Sequence, residues 1–344
     1  MTQDAKVAVI IPAWNAEDTI EACISAVLGS TRKPDEVLLY NDGSSDRTGE
    51  IAESFGITVL TNSEASVGPA IGRHRCAQET DAEILVFVDA DVEVDSDAIR
   101  ILANEILSDD KVGGAFGSYD EDPHCTNVAA KYMNLRHHYI HGQSSREAST
   151  FWTGLGAIRS EVYKSLGGFD FNYDKPSIED VELGTRILNH GWRVTLAAEA
   201  KAKHWKNWTL MGVWETDIFK RAMPWSKLIV EGETKGEDLN TSHKEKFSAV
   251  LAHSMWFVGL ISLFIPQAFV IFLTVTALYL VLNAGLYALF LRKSGIGLMF
   301  AGAALHWLYH LYASVVFGVI LVRYSLMRRS PEAKTKVSPT HSND

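Results

Sequence analysis

The sequence predicts an α/β fold, with a mostly parallel sheet and helices on both faces, followed by an all-α apolar region. Short apolar runs alternate with amphipathic helical stretches over the first part of the chain, which is typical of a doubly wound parallel sheet. Each apolar run ends in polar residues, as expected of strands buried on both faces. From residue 249 to residue 326 the chain is almost uncharged, whereas the preceding part is mixed and acidic.

The first strand is predicted for residues 7–11, and Pro12 ends it. Asn15 is placed to cap the helix that follows. Apolar residues recur at helical spacing in that helix, namely Ile20, Ile24, Val27 and Leu28. The turn cluster 41–46 follows a second short strand and predicts another helix, capped by Ser45 or Asp46. A third strand at residues 58–60 and a helix over about residues 67–77 complete this part.

The fourth strand ends in two aspartates, Asp89 and Asp91, separated by one small residue. In an open α/β sheet, ligands bind beyond the carboxyl ends of the strands. Two close carboxylates repel each other unless a cation lies between or beside them, and hard oxygen ligands suit Mg²⁺ or Mn²⁺. The pair therefore predicts a metal ion that is delivered to a phosphorylated ligand; two solvated acids are the alternative.

The bulk composition limits the class of protein. A chain of 344 residues suits about two domains, and its net charge of −10 argues against a nucleic-acid binder, whose surface would be basic. Cys23, Cys76 and Cys125 are odd in number and far apart, which indicates a reducing compartment. Residues 1–6 lack the apolar core of a signal peptide, so the α/β part is expected in the cytosol.

Several short motifs follow one another along the first 210 residues or so. They are IIPAWN at 10–15, NDGSSD at 41–46, DAD at 89–91, GLGAIR at 154–159 with GGFD at 167–170, and EDVEL at 179–183. In this order they resemble the signatures of family 2 glycosyltransferases with the GT-A fold. The resemblance implies an inverting, metal-dependent transfer of one sugar from a nucleotide-diphosphate sugar, with a UDP-sugar favoured.

The resemblance also implies a nucleotide site, formed by Pro12, Trp14, Asn15, Asp42, Arg73 and Asp89. Trp14 would stack on the base, Asp42 would accept a hydrogen bond from the base ring, and Asp89 would face the ribose. The family usually has two acids at the second motif, and here Asn41 replaces the first, which leaves uracil and guanine both open. Simple packing is the alternative for Trp14, and a solvated side chain is the alternative for Arg73.

By the same resemblance, Asp91 binds the cation together with Asp89, and His204 is a further candidate ligand. An ordinary satisfied or exposed histidine is the alternative at position 204. Asp180 is expected to be the general base, because the start of a helix favours its ionised form and a base must be deprotonated. A structural role is the alternative, since Ser177 and Asp180 have the spacing of a capping box.

Six residues are expected near the donor sugar or the acceptor: Trp152, Thr153, Gly154, Glu179, Arg221 and Trp225. Residues 151–156 predict a strand that enters a glycine-rich turn, followed by an apolar helix. The segment 205–228 combines tryptophan with basic residues, which suits a membrane–water interface. Processive synthases carry Gln-x-x-Arg-Trp in this region, and residues 221–225 do not match it, so the addition of a single sugar is favoured.

Three apolar segments follow, at about 249–265, at 268–291 and up to Val322. The second is long enough to span a membrane, for which about 20 residues are needed, and the first is marginal. Arg292 and Lys293 belong in the cytosol by the positive-inside rule, but a third span would put the basic tail outside, so the number of spans stays open. His306 and His310 share a helical face and have either a functional role or a packing role.

These features predict a division into a catalytic domain at 1–215, interfacial helices with a linker at 216–248, transmembrane helices at 249–326 and a disordered tail at 327–344. We expect an integral protein of the inner or plasma membrane, with a cytosolic catalytic domain. The sugar is expected to go to a hydroxyl or phosphate of a lipid or lipid-linked acceptor at the cytosolic membrane face. The alternatives are a nucleotidyltransferase and a non-catalytic membrane scaffold. Against the first stands the absence of a glycine- and lysine-rich triphosphate loop. Against the second stands the presence together of Asp42, Asp89, Asp91 and Asp180.

Overall fold

The computed structural model describes residues 5–173, 175–234 and 241–329. This part of the chain contains a nine-stranded sheet. Its strands are β1 (Val7–Ala13), β2 (Glu36–Asn41), β3 (Thr58–Thr61), β4 (Ile84–Val88), β5 (Val92–Val94), β6 (Val112–Tyr119), β7 (Glu147–Ala148), β8 (Leu155–Arg159) and β9 (Arg193–His204). The strand order is β3-β2-β1-β4-β8-β6-β9-β5, and β7 pairs with β9 at the side.

The directions of the strands confirm the prediction of an α/β fold with a mostly parallel sheet. Strands β1 to β4 run parallel to one another. Strand β8 is antiparallel to both of its neighbours, β4 and β6, so β6 and its parallel partner β9 point the same way as β4. The short strands β5 and β7 are antiparallel to β9. The carboxyl ends of β1, β2, β4, β6 and β9 therefore lie at one edge.

The helices before residue 200 are α1 (Ile20–Gly29), α2 (Thr48–Ser54), α3 (Pro69–Gln78), α4 (Ala98–Ser108), α5 (Val128–Gln143), α6 (Ser160–Ser165) and α7 (Glu179–Asn189). Side chains alternate along a strand, so each strand feeds two cores. In β1, three fully buried residues enter one core and two enter the other; these are Val7, Val9 and Ile11, then Ala8 and Ile10. Helices α1, α2 and α4 cover the first core, and α3, α6 and α7 cover the second.

Two predicted helix starts differ from the structure. Asn15 does not cap α1, which begins at Ile20. It adopts a positive φ of 48°, and its side-chain oxygen accepts from the backbone N–H of Ser45. Ser177 does not cap α7 either, because its hydroxyl donates to the carbonyl of Lys220, so the expected capping box does not form. In both cases the polar side chain forms a hydrogen bond with a residue distant in the sequence and does not cap the helix. Asp46, by contrast, accepts from the N–H of Thr48 in the first turn of α2.

The glycine-rich segment differs from the prediction, and so does the region before His204, for which the sequence predicts a short strand at residues 194–197 and then a loop. Residues 151–153 are not a strand; β8 begins at Leu155, in the region expected to be a turn and a helix. A Cβ at Gly156 would lie 2.2 Å from the carbonyl oxygen of Trp152, so only glycine allows this close approach. Strand β9 has 12 residues and a register shift opposite β6, and it reaches His204 without an intervening loop.

The rest of the chain is helical: α8 (Leu210–Glu215), a π-helical segment (Thr216–Ala222), α9 (Met223–Glu231), α10 (His243–Ser262), α11 (Ala268–Leu282) and α12 (Ala284–Arg329). The apolar segment 268–291 is not one continuous helix, since Asn283 ends α11 after 15 residues. Within α12, Gly295 has non-helical angles, with φ 76°.

The expected domain boundaries at 248/249 and 326/327 fall inside α10 and α12. Residues 330–344 of the expected disordered tail lie outside the described part of the chain.

By length and composition, one helix among the described residues is suited to cross a membrane, at Ala284–Arg328. Its most apolar stretch of 18 residues has a mean hydropathy of 1.7, and 11% of that stretch is buried inside the protein. The 15 residues of α11 are fewer than the roughly 20 that a span requires. The predicted second span, at 268–291, is therefore divided in the structure between α11 and the first residues of α12.

The C-terminal helices pack against the sheet domain through α5. Tyr132 and Met133 of α5 share a third apolar core with Tyr287 and Phe290 of α12. Three polar contacts reinforce this junction. Arg136 donates to Asp217 Oδ2 at 3.0 Å with both side chains 1% exposed, and Tyr312 of α12 donates to the same carboxylate at 2.7 Å. Lys293 of α12 pairs with Glu121, in the loop after β6, at 3.0 Å.

Candidate active site

Most of the residues singled out in the sequence meet at the carboxyl edge of the sheet. Five of the parallel strands that end there deliver polar or aromatic residues to it. These are Trp14 and Asn15 after β1, Asp42 after β2, Asp89 and Asp91 after β4, Tyr119 at the end of β6, and His204 at the end of β9. The segment 152–154 reaches the same edge because β8 runs the opposite way and begins there.

The register of β5 and β9 brings Asp91 and His204 together. Val92, directly after Asp91, pairs with His204 across the two strands. The imidazole Nε2 of His204 lies 3.4 Å from Asp91 Oδ2, and the backbone carbonyl of Asp91 accepts from the N–H of Trp205 at 2.8 Å. Two ligand types that a metal ion uses, a carboxylate oxygen and an imidazole nitrogen, therefore converge on one point.

His204 is held so that its Nε2 faces Asp91. Its Nδ1 lies 2.8 Å from the side-chain oxygen of Asn134 on α5, which fixes the ring nitrogen opposite the site. The ring also stacks on Tyr119. Burial opposes ionisation of Asp91, but the attraction of His204 and Lys206 outweighs it and lowers the pKa of Asp91 to about 2.

Arg73 of α3 connects the end of β4 to the start of α7. Its guanidinium, 3% exposed, donates to Asp89 Oδ1 at 2.7 Å and to Glu179 Oε1 at 2.9 Å. Burial raises the pKa of Asp89; Arg73 opposes this effect and the charge of Asp91 adds to it. Burial also opposes the charge of Arg73, but Asp89 and Glu179 outweigh it and raise the pKa of Arg73. Arg73 and Glu179 are thus a buried ion pair and not solvated side chains.

Asp180 lies in the first turn of α7, beside Glu179. Its Oδ2 accepts from the backbone N–H of Thr153 at 3.2 Å, and its Oδ1 accepts from the N–H of Val181 at 2.8 Å. Burial and the charge of Glu179 raise the pKa of Asp180 to about 7, although Arg73 and these two N–H groups oppose the rise. The N–H of Val181, at the start of α7, does favour the ionised form as expected, but burial and Glu179 outweigh this effect. A pKa near neutrality still suits a residue that exchanges protons.

The segment before β8 lines the site between Asp180 and the metal-motif strand. The N–H of Asp89 donates to the carbonyl of Gly154 at 3.3 Å. A Cβ at Gly154 would lie 2.3 Å from the indole of Trp152, so this indole folds directly over the glycine. Trp152 also contacts Tyr119 edge to face, with centroids 4.8 Å apart. Trp152, Thr153 and Gly154 are thus brought together with Asp89 and Asp180.

The residues expected at the nucleotide base lie along the ends of β1 and β2. Trp14 is 58% exposed and projects a flat ring to solvent, whereas Pro12 lies within β1. Asp42 is 4% exposed, and its carboxylate is surrounded by donors from the loop 62–68. These are Ser66 Oγ at 2.6 Å, Gly68 N at 2.8 Å, Val67 N at 3.0 Å and Asn62 Nδ2 at 3.1 Å. Asp42 therefore anchors this loop next to the end of β2.

Arg221 and Trp225, the last two predicted residues, contact α5 and the start of α7 rather than the ends of the strands. Arg221 Nη1 is 2.8 Å from the Nε2 of His137 on α5, and its side chain is 30% exposed. Burial and the charge of Arg221 lower the pKa of His137 well below its usual value, so His137 accepts this hydrogen bond as a neutral ring. Trp225 packs on Ile178 and Val181 at the base of α7. It supports the element that carries Asp180 and is not among the polar groups of the site.

Sequence reasoning missed three residues here: Tyr119, Asn134 and His137. Asn134, His137 and His141 are spaced i, i+3 and i+7, so one face of α5 carries polar side chains toward the sheet. That spacing was visible in the sequence and could have identified the face. Tyr119 gave no such signal, because its position depends on the register of β6 against β8 and β9.

Comparisons with known proteins agree with this geometry. Residues 8–167 match the family model described as Glycosyl transferase family 2. The probable glycosyltransferase YdaM of Bacillus subtilis is 26% identical over 60% of this chain, which spans only 54% of the length of that relative. The O-antigen chain rhamnosyltransferase RfbN of Salmonella typhimurium is 23% identical over a stretch that covers 64% of this chain and 74% of RfbN.

A solved structure shares the fold over most of the chain. It is the mannosyltransferase PcManGT from Pyrobaculum calidifontis in complex with GDP-Man and Mn²⁺. The similarity has a TM-score of 0.51 at 17% sequence identity and covers 95% of this chain and 88% of the other. At this identity the similarity concerns the fold, and because of its coverage it includes most of the helices after residue 205.

Proposed function

Because the N-terminal domain belongs to glycosyltransferase family 2, with the GT-A fold, we propose that the protein is an inverting enzyme that transfers one sugar from a nucleotide-diphosphate sugar. The main support for this proposal is Arg73, whose guanidinium pairs with Asp89 at 2.7 Å and with Glu179 at 2.9 Å. It ties the proposed donor-binding strand end to the helix that begins with the proposed base, Asp180. A protein that only bound a partner would not need this convergence of buried charges, since an unpaired buried charge is costly.

In this proposal the donor lies along the carboxyl edge of the sheet. Trp14 offers the base an exposed flat face, which gives contact area at low entropy cost. Pro12 and Asn15 shape the turn next to it, Asp42 accepts from the base, and Asp89 faces the ribose. A UDP-sugar is favoured over a GDP-sugar by the resemblance of the motifs alone, whereas the structural neighbour was solved with GDP-Man.

The donor set of Asp91, Asp89 and His204 fits a divalent cation. Two carboxylates suit both Mg²⁺ and Mn²⁺, whereas the imidazole, whose Nε2 lies 3.4 Å from Asp91 Oδ2, favours Mn²⁺. A cation bound there supplies Lewis-acid stabilisation of the charge on the departing diphosphate. Asp91 is ionised throughout the physiological range, because even the ordinary pKa of an aspartate, about 3.9, lies well below it.

The chain's own residues supply the rest of the reaction. Asp180 takes the proton of the acceptor hydroxyl, whose oxygen forms a bond to the anomeric carbon on the face opposite the diphosphate. The bond from that carbon to the diphosphate oxygen breaks, and its electron pair leaves with the diphosphate, so the configuration inverts. The Thr153 N–H, 3.2 Å from Asp180 Oδ2, orients the base. In this proposal Trp152, Gly154 and Glu179 line the space for the donor sugar, and Arg221, 30% exposed, supplies a positive charge for the departing diphosphate.

We assign the acceptor to lipids or lipid-linked molecules at the cytosolic face of the inner or plasma membrane. The support is the apolar surface of the C-terminal helices, on which Leu263, Phe264 and Val281 are 75%, 85% and 74% exposed. Such a surface is unfavourable in water and suits a bilayer. This proposal treats residues 1–215 as the catalytic part, 216–248 as interfacial and 249–326 as the membrane part.

The test is the release of nucleotide diphosphate from UDP-, GDP- and dTDP-sugars by the detergent-purified full chain, with Mn²⁺, with Mg²⁺ or with chelator. Slow, metal-dependent hydrolysis of one donor is expected, with loss of the signal in Asp91→Asn. Asp180→Asn should retain donor binding and lose transfer. Release of pyrophosphate from a nucleoside triphosphate would indicate a nucleotidyltransferase. Absence of both activities and of nucleotide binding would indicate a scaffold and overturn the proposal.

A further inference from the structure

A second group of metal-ligand side chains lies outside the active site, where α5 meets the C-terminal helices. Glu245 is in the first turn of α10, and His306 and His310 are one turn apart on α12. They are 7%, 1% and 2% exposed, and one ligand atom from each lies within 4.8 Å of the other two. We propose that Glu245, His306 and His310 bind a transition-metal dication of the Zn²⁺ type.

The hydrogen bonds around the two imidazoles prepare them for such a role. His310 Nδ1 lies 3.0 Å from the hydroxyl of Tyr279, and His306 Nδ1 lies 3.4 Å from the hydroxyl of Tyr132. A histidine that binds a metal usually donates its other ring N–H to a neighbouring oxygen, which fixes the tautomer and the ring orientation. A tyrosine oxygen has two lone pairs, so Tyr132 can accept from His306 as well as from Arg136, 3.2 Å away.

The balance of charge also calls for a cation. The carboxylate of Glu245 is buried, and its closest described partner is His310 Nε2 at 3.1 Å. The nearby cations are engaged elsewhere: Arg136 is bound to Asp217, and Lys244 lies over the ring of Tyr139. A buried carboxylate is costly unless a positive charge compensates it. A dication would compensate it; a protonated His310 paired with Glu245 and no metal is the rival arrangement.

The geometry is close to that of a four-coordinate site. Zinc bonds of 2.0–2.1 Å require ligand atoms about 3.3 Å apart in a tetrahedron. The separation of 3.1 Å between Glu245 Oε2 and His310 Nε2 meets this, and the outer limit of 4.8 Å requires one ligand to move by about 1.5 Å. Two histidines and one glutamate are a known zinc ligand set that leaves a fourth position for water. The two imidazole ligands also distinguish this site from the carboxylate-rich one at Asp91, since imidazole suits Zn²⁺ better than Mg²⁺.

The position of the three residues indicates a structural task. Glu245 lies in the first turn of α10, and the histidines lie in α12, the longest helix of the described residues. A metal bound to all three would fasten α10 to α12 and, through Tyr132, to α5 of the sheet domain. The metal would thereby hold the catalytic domain against the apolar helices.

The experiment uses the full chain in detergent, carrying Asp91→Asn so that the proposed catalytic cation does not contribute. The chain is purified without added metal and its bound metals are measured by mass spectrometry. About one equivalent of zinc per chain is expected, falling at least tenfold in His306→Gln and in His310→Gln. His253→Gln, which removes an exposed imidazole of α10, is the matched control and should retain the metal.

A second measurement does not depend on the folding of the variants. The same Asp91→Asn chain is stripped with a chelator and titrated with Zn²⁺ while its thermal midpoint is followed. The midpoint should fall on stripping and rise again with a saturating response, because a metal that binds only the folded state stabilises it. Absence of stoichiometric zinc together with an unchanged midpoint, or full retention of zinc in both histidine variants, would overturn the proposal in favour of the metal-free ion pair.

Discussion

The imidazole of His204 lies face to face with the phenol ring of Tyr119, with ring centroids 4.4 Å apart and an interplanar angle of 8°. Asn134 holds the same imidazole through its Nδ1, at 2.8 Å. The stacking on Tyr119 fixes the plane of the imidazole, and the contact with Asn134 fixes the direction of its two nitrogens within that plane. The ring is therefore oriented before any ligand binds. This preorganisation lowers the cost of ordering the ring when Nε2 binds a cation.

Removal of the Asn134 contact should weaken metal binding more than catalysis. We expect Asn134→Leu to raise the Mn²⁺ concentration for half-maximal activity by about 10- to 100-fold, because the ring loses its orienting acceptor. Activity is measured across a Mn²⁺ titration, and kcat at saturating metal should change less. Asn134→Asp keeps an acceptor oxygen and should restore the response. Gln143→Leu, on an exposed part of α5, is the control. An unchanged metal requirement would contradict the role of Asn134.

The pH dependence of transfer should follow Asp180. Its pKa of about 7 is raised by burial and by Glu179, so half of the base is protonated near neutral pH. Only the ionised form accepts a proton, so kcat should fall about tenfold for each pH unit below this pKa and level off above it. A pH profile of kcat, recorded at saturating substrates and metal, measures this decrease, which is the acidic limb of the profile. Asp180→Asn should lower kcat by about 10²- to 10⁴-fold and abolish the limb. A profile that is flat through neutral pH would be inconsistent with Asp180 as the base.

Loss of the Arg73 bridge should destabilise the fold. In Arg73→Met, Glu179 is left unpaired with a side chain only 6% exposed, whereas Asp89, 33% exposed, can regain some water. Breaking a buried ion pair on one side costs about 3–5 kcal/mol of folding free energy, most of it here from Glu179. The thermal midpoint should therefore fall by several degrees, with loss of donor binding. Arg75→Met, on the exposed side of the same helix, should leave both quantities near those of the parent. Equal effects of the two substitutions would refute the bridge.

The position of Thr153 should depend on Gly184 of α7. A Cβ at Gly184 would lie 2.4 Å from the backbone nitrogen of Phe151, so Gly184→Ala must move the segment 151–153 away from α7. A displacement of about 1 Å at a catalytic contact can cost 10²-fold in rate, and a decrease of roughly ten- to hundredfold in kcat is expected. Gly142→Ala is the control, because no heavy atom lies within 4 Å of its new Cβ. Steady-state kinetics with the same donor compares the two variants.

The sheet and the motifs at its strand ends could be predicted because they are local in the sequence. The apolar run of β4 and the two aspartates after it are adjacent in the chain, so one short segment gives both a strand and its chemistry. The general α/β fold follows from repetition of that pattern. The i, i+4 spacing of Glu182 and Arg186 likewise predicts an ion pair on one helix face, and the structure confirms it on α7 at 2.6 Å.

The features that could not be predicted depend on contacts distant in sequence. Asn15 and Ser177 have the chemistry of helix caps, but Ser45 and Lys220 provide partners that a local rule does not include. The pKa of Asp180 likewise depends on burial, which the position of a residue in a helix does not report. Asp91 and His204 face each other only because Val92 of β5 pairs with His204 of β9. This pairing depends in turn on the register shift of β9 opposite β6, which local sequence does not reveal.

The ends of the apolar helices were the least predictable part of the fold. A run of apolar residues indicates that a segment avoids water, but it does not indicate where the helix stops. Asn283 ends α11 because its side chain is buried and donates to Ser248 and to the carbonyl of Tyr279. Gly295 breaks α12 by adopting a positive φ. Both breaks rest on single residues within otherwise apolar sequence.

The environment of Asp42 has a consequence for selectivity toward the donor. Its carboxylate accepts hydrogen bonds from Ser66, Val67, Gly68 and Asn62, so a base that binds to it competes with the loop for the same oxygens. The affinity for a nucleotide is then the difference between two sets of hydrogen bonds. Substitutions in the loop can shift the preference among bases without touching the base, and enzymes with identical contact residues can differ in donor choice.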